Sequence, residues 1–179
     1  MTIDPRVRLT SFGRRDLLAW DAIAAFARSV KAQPGPATDT RAVLEAAAAR
    51  ILPSDDGPGA SEARVARFIE RQLAGSLAPL RPAFDQLARL LDLSSARMSG
   101  KPFVSLPARD QDVLLTQLSR GALPVRGLPQ EAMFRALHSL TLEGFLSDPV
   151  HGGNDGEVGW RAIGFSAPHL RKPGGGHGR

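Results

Sequence analysis

The residues best able to do chemistry lie in one stretch near the C-terminal end of the chain, residues 143–165, here called the motif segment. His151 lies there between two carboxylates, Asp148 and Asp155. Imidazole and carboxylate groups together can bind a metal ion or transfer protons. This grouping supports one hypothesis, a stand-alone metal-dependent enzyme that uses His151, Asp148 and Asp155.

The spacing within the motif segment does not match the common metal, phosphate or nucleophile motifs. The alternating acidic positions and final Glu of an EF-hand calcium loop are absent. Gly152 and Gly153 are not followed by the Lys of a phosphate-binding loop, and the chain has no G-x-S-x-G nucleophile elbow. These glycines, with Asn154, are better suited to positive φ angles after a helix ends. We therefore predict no catalytic, cofactor-binding or metal-binding residues in this chain.

The sequence before the motif segment has the pattern of helices that would hold it in place. Phe68, Ile69 and Leu73, for example, recur at helical spacing on one apolar face. No stretch alternates apolar and polar residues with a period of two, so strands are not indicated. We predict an all-α, single-domain helical bundle of about six helices with a long irregular Gly-rich C-terminal segment. The predicted helices cover about residues 15–31, 40–52, 61–74, 82–98, 107–119 and 129–146.

Two of these helices carry specific predictions about the core. In the fifth, Val113, Leu114 and Leu118 are expected to face inward. In the sixth, Met133, Leu137 and Leu140 mark the buried stripe, and this helix runs directly into the motif segment.

Composition narrows the classes of function. The net charge is +5, but basic and acidic residues are interleaved and no cluster of four or more Lys or Arg occurs, so a nucleic-acid partner is not predicted. The absence of Cys excludes disulfides, thiolate zinc sites, iron–sulfur clusters and C-x-x-C-H haem attachment in this chain. No segment approaches the roughly 20 apolar residues of a membrane span.

The N-terminal residues 1–39 allow two interpretations. Arg14 and Arg15 precede apolar residues, as in a twin-arginine export signal. However, Asp21 splits the apolar run and Arg28 closes it, whereas an export signal needs roughly 7–15 uninterrupted apolar residues. We favour an amphipathic helix, with the export signal as the alternative. The predicted organisation is a basic N-terminal segment with a helix and linker (1–39), a helical domain (40–168) and a disordered tail (169–179).

The order of residues in and around the motif segment resembles the gluconate 2-dehydrogenase subunit 3 family. Members of that family end in a similar run, T-x-E-G-[FY], then D-P-x-Y-G-G-N, then G-W and I-G-F. His151 stands where the family usually has Tyr. Weaker similarity extends the resemblance over roughly residues 40–168. The matching runs in this chain are residues 140–145, 148–154, 159–160 and 163–165, with weaker ones at 49–53, 58–60, Phe103 and Leu106.

The resemblance implies a non-catalytic small subunit of a membrane-associated dehydrogenase that oxidises sugars or sugar acids. In such complexes the large subunit resembles glucose–methanol–choline oxidoreductases and carries FAD, and a cytochrome c subunit often takes the electrons. The small subunit supports maturation of its partner and often carries the twin-arginine signal that exports both. A periplasmic location through the complex is implied; a cytoplasmic one is the alternative, because the apolar stretch after Arg15 is interrupted.

A cofactor-free helical domain with a rigid, aromatic-bearing loop suits a docking role. Trp and Arg are enriched among interface anchors, which points to Trp160 and Arg161. The alternative for Trp160 is that it packs back on the helices of its own domain, and both interpretations stay open. The docking candidates are Phe145, Asp148, Pro149, His151, Gly152, Gly153, Asn154, Trp160, Arg161 and Phe165.

Overall fold

A computed structural model describes residues 14–30, 38–124 and 127–166 of the chain. These ranges contain seven α-helices, four 3-10 turns and no strand, which confirms the all-α prediction. The predicted tail 169–179 lies outside them. The helices are α1 Arg14–Ser29, α2 Thr40–Ile51, α3 Val65–Ala74, α4 Arg81–Ser99, α5 Ala108–Ser119, α6 Gln130–Leu146 and α7 Val158–Ala162, and the 3-10 turns are Ala78–Leu80, Phe103–Ser105, Pro149–His151 and Asp155–Glu157.

Helix α6 is the centre of the bundle. It packs against each of the other six helices. Met133, Leu137 and Leu140 are at most 1% exposed, so the predicted stripe of this helix is confirmed. Because α6 is packed on all sides by other helices, its position is fixed, and a chain segment that binds its C-terminal end is held rigidly.

Helix α1 packs on α6, α4 and the turn Ala78–Leu80. Ala19, Ile23 and Ala27 fall four residues apart and are buried, and Ile23 is fully buried. The favoured amphipathic helix is therefore present, at Arg14–Ser29. The side chains of Arg14 and Arg15 lie outside the described part of the structure. Among the described residues, no helix is both long and apolar enough to cross a membrane.

The structure corrects the sequence predictions at three places. Helix α3 begins at Val65 rather than near Ser61, because residues 60–64 form turns and Arg64 has a positive φ of 53°. The segment after α6 is less irregular than predicted, since it contains two 3-10 turns and α7. Val113 is 42% exposed, so its predicted inward position is wrong.

The inward face of α5 is rotated from the predicted one. Leu114, Leu115 and Leu118 are buried there together with Gln111, whose side-chain amide donates to the Phe103 carbonyl at 3.0 Å. These positions follow the i, i+3, i+4, i+7 spacing of one helix face. Contact with both α2 and α6 sets which face that is.

Candidate docking surface around the motif segment

The motif segment folds back over the C-terminal end of α6. A helix end leaves its last carbonyl groups without partners inside the helix. Here two side chains supply them: Trp160 Nε1 donates to the Leu146 carbonyl at 2.7 Å, and Asn154 Nδ2 donates to the Ser147 carbonyl at 2.9 Å. The segment is therefore built as a cap on the end of α6.

Asn154 joins the end of α6 to the start of α7. Its side chain is fully buried and its φ is 46°, a conformation that Asn tolerates better than most residues. Its Oδ1 accepts a hydrogen bond from the Gly159 amide at 2.8 Å, in the first turn of α7. Both ends of the side-chain amide are paired, so this residue fixes one geometry between the two helices.

Two glycines allow the backbone of the motif segment to touch the backbone of α6. A methyl group at Gly153 would overlap the carbonyl of Gly144, and one at Gly159 would overlap the carbonyl of Phe145. Gly144 itself faces the ring of Phe68, where an added carbon would lie 2.9 Å from the nearest ring atom. Glycine is therefore required at these positions by close approach rather than by flexibility.

The motif segment is also tied to α3. The Arg71 guanidinium donates to the Val150 carbonyl at 2.9 Å. Just before α3, Arg64 pairs with the Asp155 carboxylate at 3.0 Å, and the Asp155 amide donates to the Ala63 carbonyl at 3.2 Å. The first part of the segment is thus held between α3 and α6.

The predicted docking candidates divide into buried and accessible groups. Trp160 is 8% exposed and stacks edge-on against Phe165, with the ring centroids 5.4 Å apart. These contacts agree with the interpretation in which Trp160 packs on the helices of its own domain. The buried candidates are Phe145, Gly152, Gly153, Asn154 and Trp160; the partly exposed ones are Asp148 and Pro149; the exposed ones are His151, Arg161 and Phe165.

The fold does not bring together the residues proposed as ligands in the metal-dependent hypothesis. Asp148 accepts from the Val150 amide at 2.9 Å and so begins the 3-10 turn, while Asp155 pairs with Arg64. Within the described ranges, no three His, Asp or Glu side chains lie close enough together to hold a metal ion. His151, Asp148 and Asp155 therefore do not form the site that this hypothesis requires.

Sequence reasoning missed an open groove beside the motif segment, here called the α3–α6 groove. Its volume is about 530 Å³. The Glu143 side chain lies on it, and desolvation by its surroundings raises the pKa of that carboxyl. No sequence signal marks this groove, because its walls come from stretches far apart in the chain. The lining residues are Phe68, Gln72, Leu142, Glu143, Leu146, Ser147 and His151.

Comparison with known families gives one match. The family model described as gluconate 2-dehydrogenase subunit 3 matches residues 38–168, well over half of the chain. The chain belongs to the gluconate 2-dehydrogenase subunit 3 family. No curated protein and no solved structure matches it.

Membership in the subunit 3 family confirms the resemblance seen in the sequence. The match begins at residue 38, after α1, and includes the whole motif segment. The family name denotes a subunit of a dehydrogenase, so the chain is related to components of a larger dehydrogenase complex. In this member of the subunit 3 family, the Gly, Asn and Trp residues of the motif cap α6, and His151 lies exposed on the α3–α6 groove.

Proposed function

We propose that this chain is the non-catalytic small subunit of a heteromeric FAD-dependent sugar or sugar-acid dehydrogenase of the gluconate type. It supports the maturation, stability or export of the large flavoprotein subunit. The observation that carries the proposal is the family match over residues 38–168. In this proposal the large subunit is of the glucose–methanol–choline type and holds FAD, a cytochrome c subunit takes its electrons, and the complex is periplasmic and bound to the membrane through its other subunits.

The surface of the motif segment supports a docking role. Its polar side chains Asn154 and Trp160 are used within the chain, whereas several large apolar side chains in or next to the segment face solvent. Val150 is 70% exposed, Ile163 61%, and Phe165 46%. With Leu142, these are four of the eight large apolar side chains exposed among the described residues, and exposed apolar surface is what a protein partner would cover.

Co-expression with a large flavoprotein subunit encoded next to this chain tests the proposal. An affinity tag on this chain is expected to recover a yellow complex in which flavin absorbance and this chain elute together. The flavoprotein expressed alone should give less soluble, FAD-loaded enzyme, because maturation lacks its small subunit. Elution of this chain as a flavin-free monomer from the same co-expression would contradict the proposal.

Export is tested separately, by a reporter fused to residues 1–39. If this region carries the export signal of the complex, the reporter reaches the periplasm, and replacement of both Arg14 and Arg15 by Lys retains it in the cytoplasm. Retention of the unchanged fusion would assign export to another subunit or place the complex in the cytoplasm.

A further inference from the structure

The α3–α6 groove combines apolar walls with a single carboxylate, beside the polar side chains of Gln72, Ser147 and His151. Phe68, Leu142 and Leu146 provide the apolar surface, and Leu142 is 36% exposed. Glu143 provides the acid, and within the described residues its carboxylate has no hydrogen bond or ion pair. Arg71, next to Gln72 in the sequence, directs its guanidinium at the Val150 carbonyl rather than at Glu143.

The position of Glu143 is electrostatically unfavourable in the free subunit. It lies in the last turn of α6, where the helix dipole places partial negative charge and a cation would be stabilising. The last turn of α6 carries no basic residue. Desolvation also disfavours the charged carboxylate, which is why the pKa of Glu143 is raised. One positive charge paired with the carboxylate in the groove would offset both effects.

We infer that the α3–α6 groove docks a segment of the large flavoprotein subunit that presents an Arg or Lys flanked by apolar side chains. The cation pairs with Glu143 at the end of α6, and the apolar side chains cover Leu142, Leu146 and Phe68. The inference rests on the proposed function and adds to it the place and the chemistry of the contact. A volume of about 530 Å³ suits a few side chains of one such segment.

Charge argues against the other occupants. In a symmetric pair of this chain with the groove on the two-fold axis, one Glu143 would face the other. The phosphates of a nucleic acid would face the same carboxylate. A cationic protein segment is the occupant that the groove complements.

Charge reversal tests the inference with the two subunits purified separately. Glu143→Lys is expected to weaken binding of the flavoprotein about a hundredfold and Glu143→Gln about tenfold, measured by titration of the purified subunits. Glu45→Lys is the matched control, because Glu45 is exposed on α2, away from the groove, and the change in charge is the same. Circular dichroism checks that each variant is folded. If Glu143→Lys does not fold, Glu143→Gln still tests the inference.

A photo-reactive amino acid at Leu142 identifies what lies in the groove. The expected crosslink joins this chain to a flavoprotein peptide that contains Arg or Lys, and reversing that residue to Glu restores binding to Glu143→Lys. A complex that forms equally well with wild type, Glu143→Lys and Glu143→Gln overturns the inference and leaves the proposed function standing. A crosslink to a second copy of this chain overturns it too. If the wild-type chain binds no flavoprotein, the proposed function fails and the inference fails with it.

Discussion

Helix α1 and the motif segment both pack on α6, and they do so by different physics. Helix α1 uses small and apolar side chains, with Ile23 fully buried. The motif segment uses hydrogen bonds from Asn154 and Trp160 and direct backbone contact at Gly153. Apolar packing tolerates changes that conserve volume, whereas a hydrogen-bonded cap with touching backbones accepts one geometry. The family match over residues 38–168 includes the motif segment.

The largest effect is expected for Gly153→Ala. The new methyl group would overlap the backbone of Gly144, which belongs to α6 and cannot move without disturbing the bundle. We expect the free energy of unfolding to fall by about 3 kcal/mol or more, measured by denaturant titration. Gly57→Ala is the control, since nothing lies within 4 Å of its added carbon. Equal stability of the two variants would show that the backbone contact is absent.

The apolar contact of α1 is tested by Ile23→Ala. This change removes a fully buried side chain between α1 and the bundle, so we expect a loss of about 2–4 kcal/mol in the same measurement. Ile23→Leu conserves volume and should cost less than about 1.5 kcal/mol. Asp21→Ala, at an exposed position of α1, should change stability by no more than about 0.5 kcal/mol. A similar small effect for Ile23→Ala would mean that α1 does not dock.

The polar cap is tested by Asn154→Ala and Asn154→Asp. The first leaves the Ser147 carbonyl and the Gly159 amide without their partners, at a cost of about 2 kcal/mol. The second keeps the shape but places a carboxylate oxygen against the Ser147 carbonyl, so it should cost at least as much. This result would contrast with the tolerance expected for Ile23→Leu. If Asn154→Asp is neutral, the two regions do not differ as proposed.

The smallest effect, of opposite sign, is expected for Glu143→Gln in the isolated chain. Desolvation raises the folded-state pKa of Glu143 above its ordinary value of 4.5, so the folded protein holds the proton more tightly than the unfolded chain does. The free energy of unfolding therefore falls as pH rises from the unfolded-state pKa of Glu143 to its folded-state pKa, and it stays lower above that. Because Glu143 is an exposed residue, solvent screens this cost, and the gain at pH 7 from Gln should stay below about 0.5 kcal/mol.

The pH dependence checks the cause of that gain. Thermal unfolding of wild type and Glu143→Gln should differ at neutral pH and converge below about pH 3, where both the folded and the unfolded carboxyl are protonated. A difference that persists at low pH would assign the effect to packing rather than to charge. A change that stabilises the free subunit and weakens binding of the flavoprotein is the expected signature of a group kept for the complex.

Much of the bundle could be predicted from local patterns. The stripe of Met133, Leu137 and Leu140 in α6 is confirmed, because a run of apolar residues at helical spacing leaves one face to bury. The inward face of α5 could not be fixed in the same way. Val113 and Leu115 are both apolar, and only the placement of α2 and α6 buries Leu115 and exposes Val113.

The candidate site was located by sequence, but its structure was not. The many glycines of residues 143–165, with one Asn and one Trp, indicate a rigid segment, and the ordered spacing of these residues indicates the family. Half of the ten docking candidates are buried in the free subunit, and their assignment to one docking surface stays a prediction. The domain boundaries at residues 39 and 168 also stay predictions.

The sequence by itself determined the helical class, the central stripe of α6 and the identity of the motif segment, because each depends on spacing along the chain. Only the tertiary structure decided what the motif residues do. Trp160 and Asn154 reach carbonyls 14 and 7 residues away through an irregular backbone, a path that no periodicity specifies. The α3–α6 groove likewise exists only because residues near positions 70 and 145 are brought together, which places Glu143 beside apolar walls.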